Sequence, residues 1–84
     1  MNIEEKVRKL VEKKVQEIGV NIDNIEYVKE GTNYFLRIVI DREEIIDVDT
    51  CVEVTNIISP MLDDIDFIKD SYILDITTKE KGEI

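Results

Sequence analysis

The sequence contains no histidine and a single cysteine, Cys51. A lone cysteine cannot form a disulfide within the chain. Without histidine, neither a Cys/His zinc site nor a Ser-His or Cys-His nucleophile can be assembled. Because an acidic sequence does not favour a thiolate, we expect Cys51 to be a core residue. We therefore expect no enzymatic activity, no bound metal and no cofactor.

Basic residues are scarce as well. Eleven Lys and Arg stand against twenty Asp and Glu, which gives a formal net charge of -9. This charge disfavours contact with phosphate backbones and anionic lipids and attracts a basic partner. No segment approaches the roughly 20 apolar residues that span a bilayer. The N-terminus, MNIEEKVRKLVEKK, is too charged for the apolar centre of a secretory signal, so we expect a cytoplasmic protein without membrane contact.

The 84 residues, of which 43% are hydrophobic, are enough for one compact domain. From Asn2 to Ile18 the apolar residues recur at steps of three and four, which predicts an amphipathic helix that ends at Gly19. The stripe expected to face the core is Ile3, Val7, Leu10, Val11, Val15 and Ile18. The stretch IEYVKEGTNYFLRIVIDRE alternates with period two and predicts a hairpin whose strands begin at Ile25 and Tyr34. Gly31 and Asn33 are expected to supply positive φ at its turn.

A second helix is predicted after the acidic loop DREEIID, with Asp47 as its N-cap. We expect Ser59 and Pro60 to open a short new turn. A third strand is predicted over Tyr72–Thr77, and the segment 77–84 is expected to be frayed. The second helix is expected to be buried on more than one side. Its inner stripe is expected to be Val48, Cys51, Val52, Thr55, Ile58 and Leu62, widened by Val54, Ile57 and Met61. The side chains expected to lid the core after this helix are Ile65, Phe67 and Ile68.

The order helix, strand, strand, helix, strand predicts an α+β fold, a two-layer sandwich with two helices on one face of a three-stranded sheet. The predicted core face consists of Ile25, Tyr27, Leu36, Ile38, Ile40, Leu74 and Ile76. The opposite face, which we call the open face, is predicted to carry Val28, Phe35, Arg37, Val39 and Ile73. Such a surface is either an ordinary half-solvated sheet or a docking face for a partner.

The segments EYVKEG, LRIVID, DVDTCVEV and YILDI follow one another between Leu10 and Ile76. In this order and spacing, the chain resembles the N-terminal domain of the bacterial ribosome maturation factor RimP. The resemblance implies a non-enzymatic factor that binds the immature small (30S) ribosomal subunit and assists incorporation of its basic protein S12. In that family a small β-barrel domain usually follows, whereas this chain ends in TTKEKGEI. We therefore expect residues 1–84 to be an excised domain or a shortened relative.

Two acidic segments are candidate protein-binding sites, because complementary charge speeds the encounter with a basic protein. The first comprises Asp63, Asp64 and Asp66. The second comprises Asp41, Glu43, Glu44 and Asp47. Charge runs of this kind are also typical of simple solvated loops.

Three other functions are compatible with parts of the sequence. The element order is shared with one type of KH domain, an RNA-binding module, yet the GXXG loop is missing because no two of Gly19, Gly31 and Gly82 are three apart. Paired acids such as Asp63 and Asp64 could bind a hard cation, but the spacing of an EF-hand is absent. Finally, the open face could pair with a second copy of the chain. The sequence leaves the oligomeric state undecided.

Overall fold

The computed structural model describes residues 2–41, 48–65 and 68–79. Its elements are α1 (Ile3–Gln16), β1 (Asn21–Glu30), β2 (Asn33–Asp41), α2 (Val48–Asp63) and β3 (Tyr72–Thr78). Several predictions concern residues outside these ranges. They are the N-cap at Asp47, the lid contact of Phe67, the acidic side chains Glu43, Glu44 and Asp66, and the end of the tail.

Helix α1 has clear signals at both ends. The Asn2 side chain accepts a hydrogen bond of 2.8 Å from the backbone N–H of Glu5, which satisfies one of the unpaired amides of the first turn. Beyond the helix Gly19 has φ of 78°, a conformation that costs glycine little. The residues predicted to face the core do so, with Val7, Val11 and Val15 fully buried. The prediction for this helix is confirmed.

The hairpin turns through Gly31 and Thr32, because Glu30 already pairs with Asn33. Only glycines have positive φ among the described residues, and Gly31, at 64°, is the one in this turn. The expected positive φ at Asn33 is therefore wrong, since that residue begins β2 and its backbone is held by strand pairing. Strand β1 also begins earlier than predicted. An irregularity in its pairing next to residue 23 resets the alternation, so that Ile22 and Ile25 both face the core.

The sheet has the order β1-β2-β3, with β1 antiparallel and β3 parallel to the central strand. Both helices pack on one face, and their buried side chains join those of the strands in a single core. Every member of the predicted core face is buried or packs against this core. The two-layer α+β fold is thus confirmed. The fully buried side chains are Leu36, Ile38, Ile40, Ile58, Val7, Val11, Val15, Val20 and Val54.

Helix α2 is rotated relative to the prediction. Its buried residues are Thr50, Val54, Ile58 and Leu62, a run at steps of four. Val48 and Val52, which were placed in the inner stripe, are 77% and 52% exposed, so that assignment is wrong. Apolar residues surround much of this helix, and periodicity therefore does not select one stripe. Cys51 is half-buried against the core, on the side expected for it.

Pro60 lies inside α2 and does not begin a new turn, contrary to the prediction. Proline removes one helical hydrogen bond, to the carbonyl four residues earlier. Here that carbonyl belongs to Asn56, and both residues are exposed. The helix continues to Asp63 because its buried residues Ile58 and Leu62 flank Pro60 and hold the last turns on the core.

Candidate functional site

The open face is organised in rows that run across the three strands. Strand pairing aligns Val28, Phe35 and Ile73 in one row, which is entirely apolar. Ile73 is 47% exposed, whereas Val28 and Phe35 are half-buried. No helix or strand among residues 2–41, 48–65 and 68–79 covers this face, since both helices pack on the other side.

A charged row lies directly beside the apolar one. Pairing aligns Glu26 with Arg37 and Arg37 with Asp75. The Nε of Arg37 donates a hydrogen bond of 3.2 Å to Oδ2 of Asp75, and its Nη2 lies 3.6 Å from Oε1 of Glu30. The hydrogen bond to Asp75 is the main reason that the pKa of Arg37 is raised. The row itself holds two carboxylates, Glu26 and Asp75, and one guanidinium, so it has a negative balance.

Arg37 also links the charged row to the apolar row. Its guanidinium carbon lies 5.6 Å from the centroid of the Phe35 ring, in cation–π contact. Two carboxylates and a ring thus hold one side chain that is only 30% exposed. Arg37 therefore covers part of Phe35 and leaves Ile73 as the most accessible apolar group of the open face.

The structure brings together all five sequence-predicted residues of the open face. They are Val28, Phe35, Arg37, Val39 and Ile73, with Val39 in a third row between Asn24 and Thr77. Sequence reasoning did not include Glu30, which lies two rows from Arg37, on the other side of the apolar row. The Arg37 side chain reaches Glu30 past the Phe35 ring, and strand alternation does not predict a contact that depends on the conformation of one long side chain.

The described residues of the two acidic segments, Asp41 in one and Asp63 and Asp64 in the other, do not lie together. Asp63 and Asp64 are exposed at the end of α2, where Asp63 lies in one groove with Tyr72. Asp41 is half-buried at the last position of β2, whereas Tyr72 pairs with Tyr34 at the start of that strand. At about 3.3 Å per residue, the two ends of β2 are roughly 23 Å apart. Asp41 and Asp63 are therefore too far apart for one small partner to contact both.

The described ranges contain no group of three or more Cys, Asp or Glu side chains that could hold a metal ion. Neither α1 nor α2 is long and apolar enough to cross a membrane. The site is a surface with an apolar row and a flanking negative row, a composition suited to binding a macromolecule.

The fold defines a small α+β domain whose helices cover one face of the sheet and whose other face is not covered by any described element. The family model of the RimP N-terminal domain matches residues 10–79. This match extends over α1 from its middle turns, through all three strands and α2, and so takes in most of the chain. The chain belongs to the RimP N-terminal domain family and is a ribosome maturation factor domain. RimP proteins are ribosome assembly factors and are not known as enzymes.

Proposed function

We propose that this domain is a non-enzymatic cytoplasmic factor in assembly of the small (30S) ribosomal subunit. In this proposal it binds the immature subunit or its basic protein S12. The family match supports a role in ribosome maturation. The net charge of -9 supports a basic partner, because opposite charges attract over several ångströms even in salt.

The observation that carries the proposal is the open face itself. An apolar row that ends at the half-exposed Ile73 offers surface to bury, and the adjacent carboxylates offer partners for cationic side chains. Glu30 and Asp75 each already share Arg37, so a lysine or arginine from a partner would extend an existing charge network. Apolar contact would then supply most of the affinity, and charge would supply orientation.

The acidic end of α2 has a separate role in this proposal. Asp63 and Asp64 are both exposed and lie near one end of the sheet. Exposed charges of this kind raise the association rate more than they slow dissociation. Neutralising them is therefore expected to lower the association rate and the salt dependence of binding, with a smaller effect on the dissociation rate.

The direct test is a titration of the domain with purified S12 at low and physiological salt. Ile73→Ala is expected to weaken binding about fivefold, which corresponds to about 1 kcal/mol. Val52→Ala is the matched control, because Val52 is 52% exposed and Ile73 is 47% exposed, yet Val52 lies on α2 away from the open face. Equal affinities for both variants, together with binding that does not respond to salt, would contradict the proposal.

Two competing functions predict different results for the same domain and its variants. If the open face pairs two copies of the chain, the mass in solution rises with concentration and Ile73→Ala lowers it again. If the domain is an RNA-binding module, it binds single-stranded RNA tightly at physiological salt despite its negative charge. Either result, without binding of S12, would replace the proposal.

A further inference from the structure

Strand β3 forms one edge of the sheet. It pairs with β2 without interruption from Tyr72 to Thr78, and no other described strand lies beyond it. The backbone N–H of Lys79 donates a hydrogen bond of 2.8 Å to the carbonyl of Ile40 in β2. Since backbone groups alternate in direction along a strand, the N–H and C=O groups of residues 73, 75 and 77 also face β2. Those of Tyr72, Leu74 and Ile76 face outward.

A groove runs beside this edge. It has a volume of about 340 Å³ and lies between the last turns of α2 and the start of β3. The side chains of Ser59, Leu62 and Asp63 form one wall, and those of Tyr72 and Leu74 form the other. The same two residues of β3 direct their backbone groups outward, so the unpaired edge borders the groove. A helix and an edge strand with a groove between them can accept an extended peptide as an added strand.

The groove has a negative charge. Asp70 lines it together with Asp63, and none of the described lysines and arginines does. The charge of Asp63 also affects Tyr72 on the opposite wall. Burial is the main cause that raises the pKa of Tyr72, and the negative charge of Asp63 is the second. Lys69, the cation nearest in sequence, is exposed and is not part of the lining. A positively charged segment is the complementary occupant.

We propose that the β3 edge and this groove bind an extended polypeptide segment that contains lysine or arginine, as a fourth strand of the sheet. Side chains on one side of such a segment enter the groove and meet Asp63 and Asp70. Those on the other side lie next to the half-exposed Ile73 on the open face. Alternating basic and apolar residues fit both environments. This proposal goes beyond the assembly function above and does not depend on S12 being the partner.

A second copy of the chain is a poorer occupant of this edge. Pairing two β3 edges would bring two negative grooves together, in a domain whose net charge is already -9. Like charges at close range destabilise such a contact. The edge is thus protected against self-association by the same carboxylates that attract a basic segment.

The test uses an alternating arginine–valine hexapeptide with blocked ends and the folded domain. With saturating peptide, amide exchange measured by NMR is expected to slow about tenfold or more at Leu74 and Ile76. Amides of Ile73 and Asp75, which already face β2, are expected to change less than about twofold. The same peptide with alternate backbone nitrogens methylated is the ligand control. It retains every charge but loses the donors, so it is expected to bind about tenfold more weakly.

The protein variant for this test is Asp63→Asn with Asp70→Asn, and it is expected to weaken peptide binding about tenfold. The matched control is Asp49→Asn with Glu53→Gln, the same loss of two charges on exposed positions of α2 outside the groove. This control is expected to bind like the unchanged domain.

Four results would overturn the proposal. Equal slowing at all four amides would indicate general stabilisation without strand addition. Equal affinity for the methylated peptide, or equal weakening by both pairs of substitutions, would indicate charge attraction alone. Slowing at Leu74 and Ile76 that grows with protein concentration in the absence of peptide would assign the edge to a second copy of the chain.

Discussion

The two faces of the sheet differ most clearly along its central strand. In β2, Leu36, Ile38 and Ile40 point toward the helices and have no exposed surface. The residues between them, Phe35, Arg37 and Val39, point to the open face and are half-buried. One strand thus provides the centre of the core with every second residue and a partly solvated surface with the others.

If the open face binds a partner as proposed, the domain uses one face of the sheet for stability and the other for binding. Burial of apolar area on the helix side supplies the free energy of folding. On the open face, Arg37 lies over Phe35 and between Glu30 and Asp75, so that these side chains are held in place without a covering layer from the described residues. Substitutions on the helix side should therefore change stability, and substitutions on the open face should change binding.

The largest effect is expected for Ile38→Ala. Ile38 is fully buried in the central strand, and its truncation should leave a cavity that costs about 3 kcal/mol in the free energy of unfolding. Val39→Ala, the neighbouring change on the open face, should cost less than about 1 kcal/mol. Urea denaturation of both variants measures the difference. Similar losses would show that the two faces are equally buried in solution.

Tyr27 is the exception on the helix side. Its ring stacks on that of Tyr34 at 5.2 Å, but its hydroxyl is inaccessible to solvent and has no hydrogen-bond partner in the described part of the chain. An unpaired buried hydroxyl is destabilising. Tyr27→Phe should therefore raise the free energy of unfolding at neutral pH, by up to about 1 kcal/mol. A clear loss of stability would show that the hydroxyl has a partner in solution.

The same residue makes stability depend on pH in the alkaline range. Burial, and then the charge of Asp70, raises the pKa of Tyr27, and burial also raises the pKa of Tyr72. Below pH of about 10 both hydroxyls are neutral in the folded and unfolded states, so their titration does not lower the free energy of unfolding. Above this pH the two tyrosine hydroxyls lose their protons more readily in the unfolded chain than in the folded one, so the free energy of unfolding falls. Tyr27→Phe with Tyr72→Phe should make this decline less steep in urea melts from pH 9 to 11.

A smaller effect is expected for Arg37→Met on the open face. The change removes the ion pairs with Glu30 and Asp75 but keeps an apolar chain over Phe35. Because exposed ion pairs contribute little and are screened, the loss of stability should be modest and should shrink as salt is added. Urea melts at low and high salt provide the measurement. A loss that is independent of salt would assign the role of Arg37 to packing.

The two helices show what the sequence can and cannot predict. In α1 the apolar residues form one stripe, and Val7, Val11 and Val15 were placed correctly. In α2 apolar residues occur on several sides, and both Val52 and Val54 were expected to be buried. Contacts with α1 and β3, which periodicity does not contain, bury Val54 and leave Val52 exposed. Burial of Thr50 illustrates the same limit, since a threonine gives no apolar signal.

The candidate surfaces also differ in whether local sequence patterns or tertiary contacts determine them. The open face was predicted because strand alternation is a local property that the sequence encodes directly. Resemblance in four short segments also predicted the family, which the match over residues 10–79 confirms. The groove beside β3 was not predicted, because Asp63, Asp70 and Tyr72 meet only through the packing of α2 on the sheet. Sites that join distant elements require the tertiary structure.

The smallest effect on stability is expected for Ile73→Thr. The variant to compare with it is Ile76→Thr in the same strand. Threonine retains the β-branched shape, so strand propensity changes little in either variant. Ile73 is 47% exposed on the open face, and its change should cost less than about 0.5 kcal/mol. Ile76 packs against the core, and its change should cost about 1 to 2 kcal/mol, because a hydroxyl then replaces an ethyl group there. If urea melts give equal losses in the free energy of unfolding for the two variants, Ile73 is buried in solution. If the loss for Ile73→Thr then disappears on dilution of the protein, a second copy of the chain buries this residue.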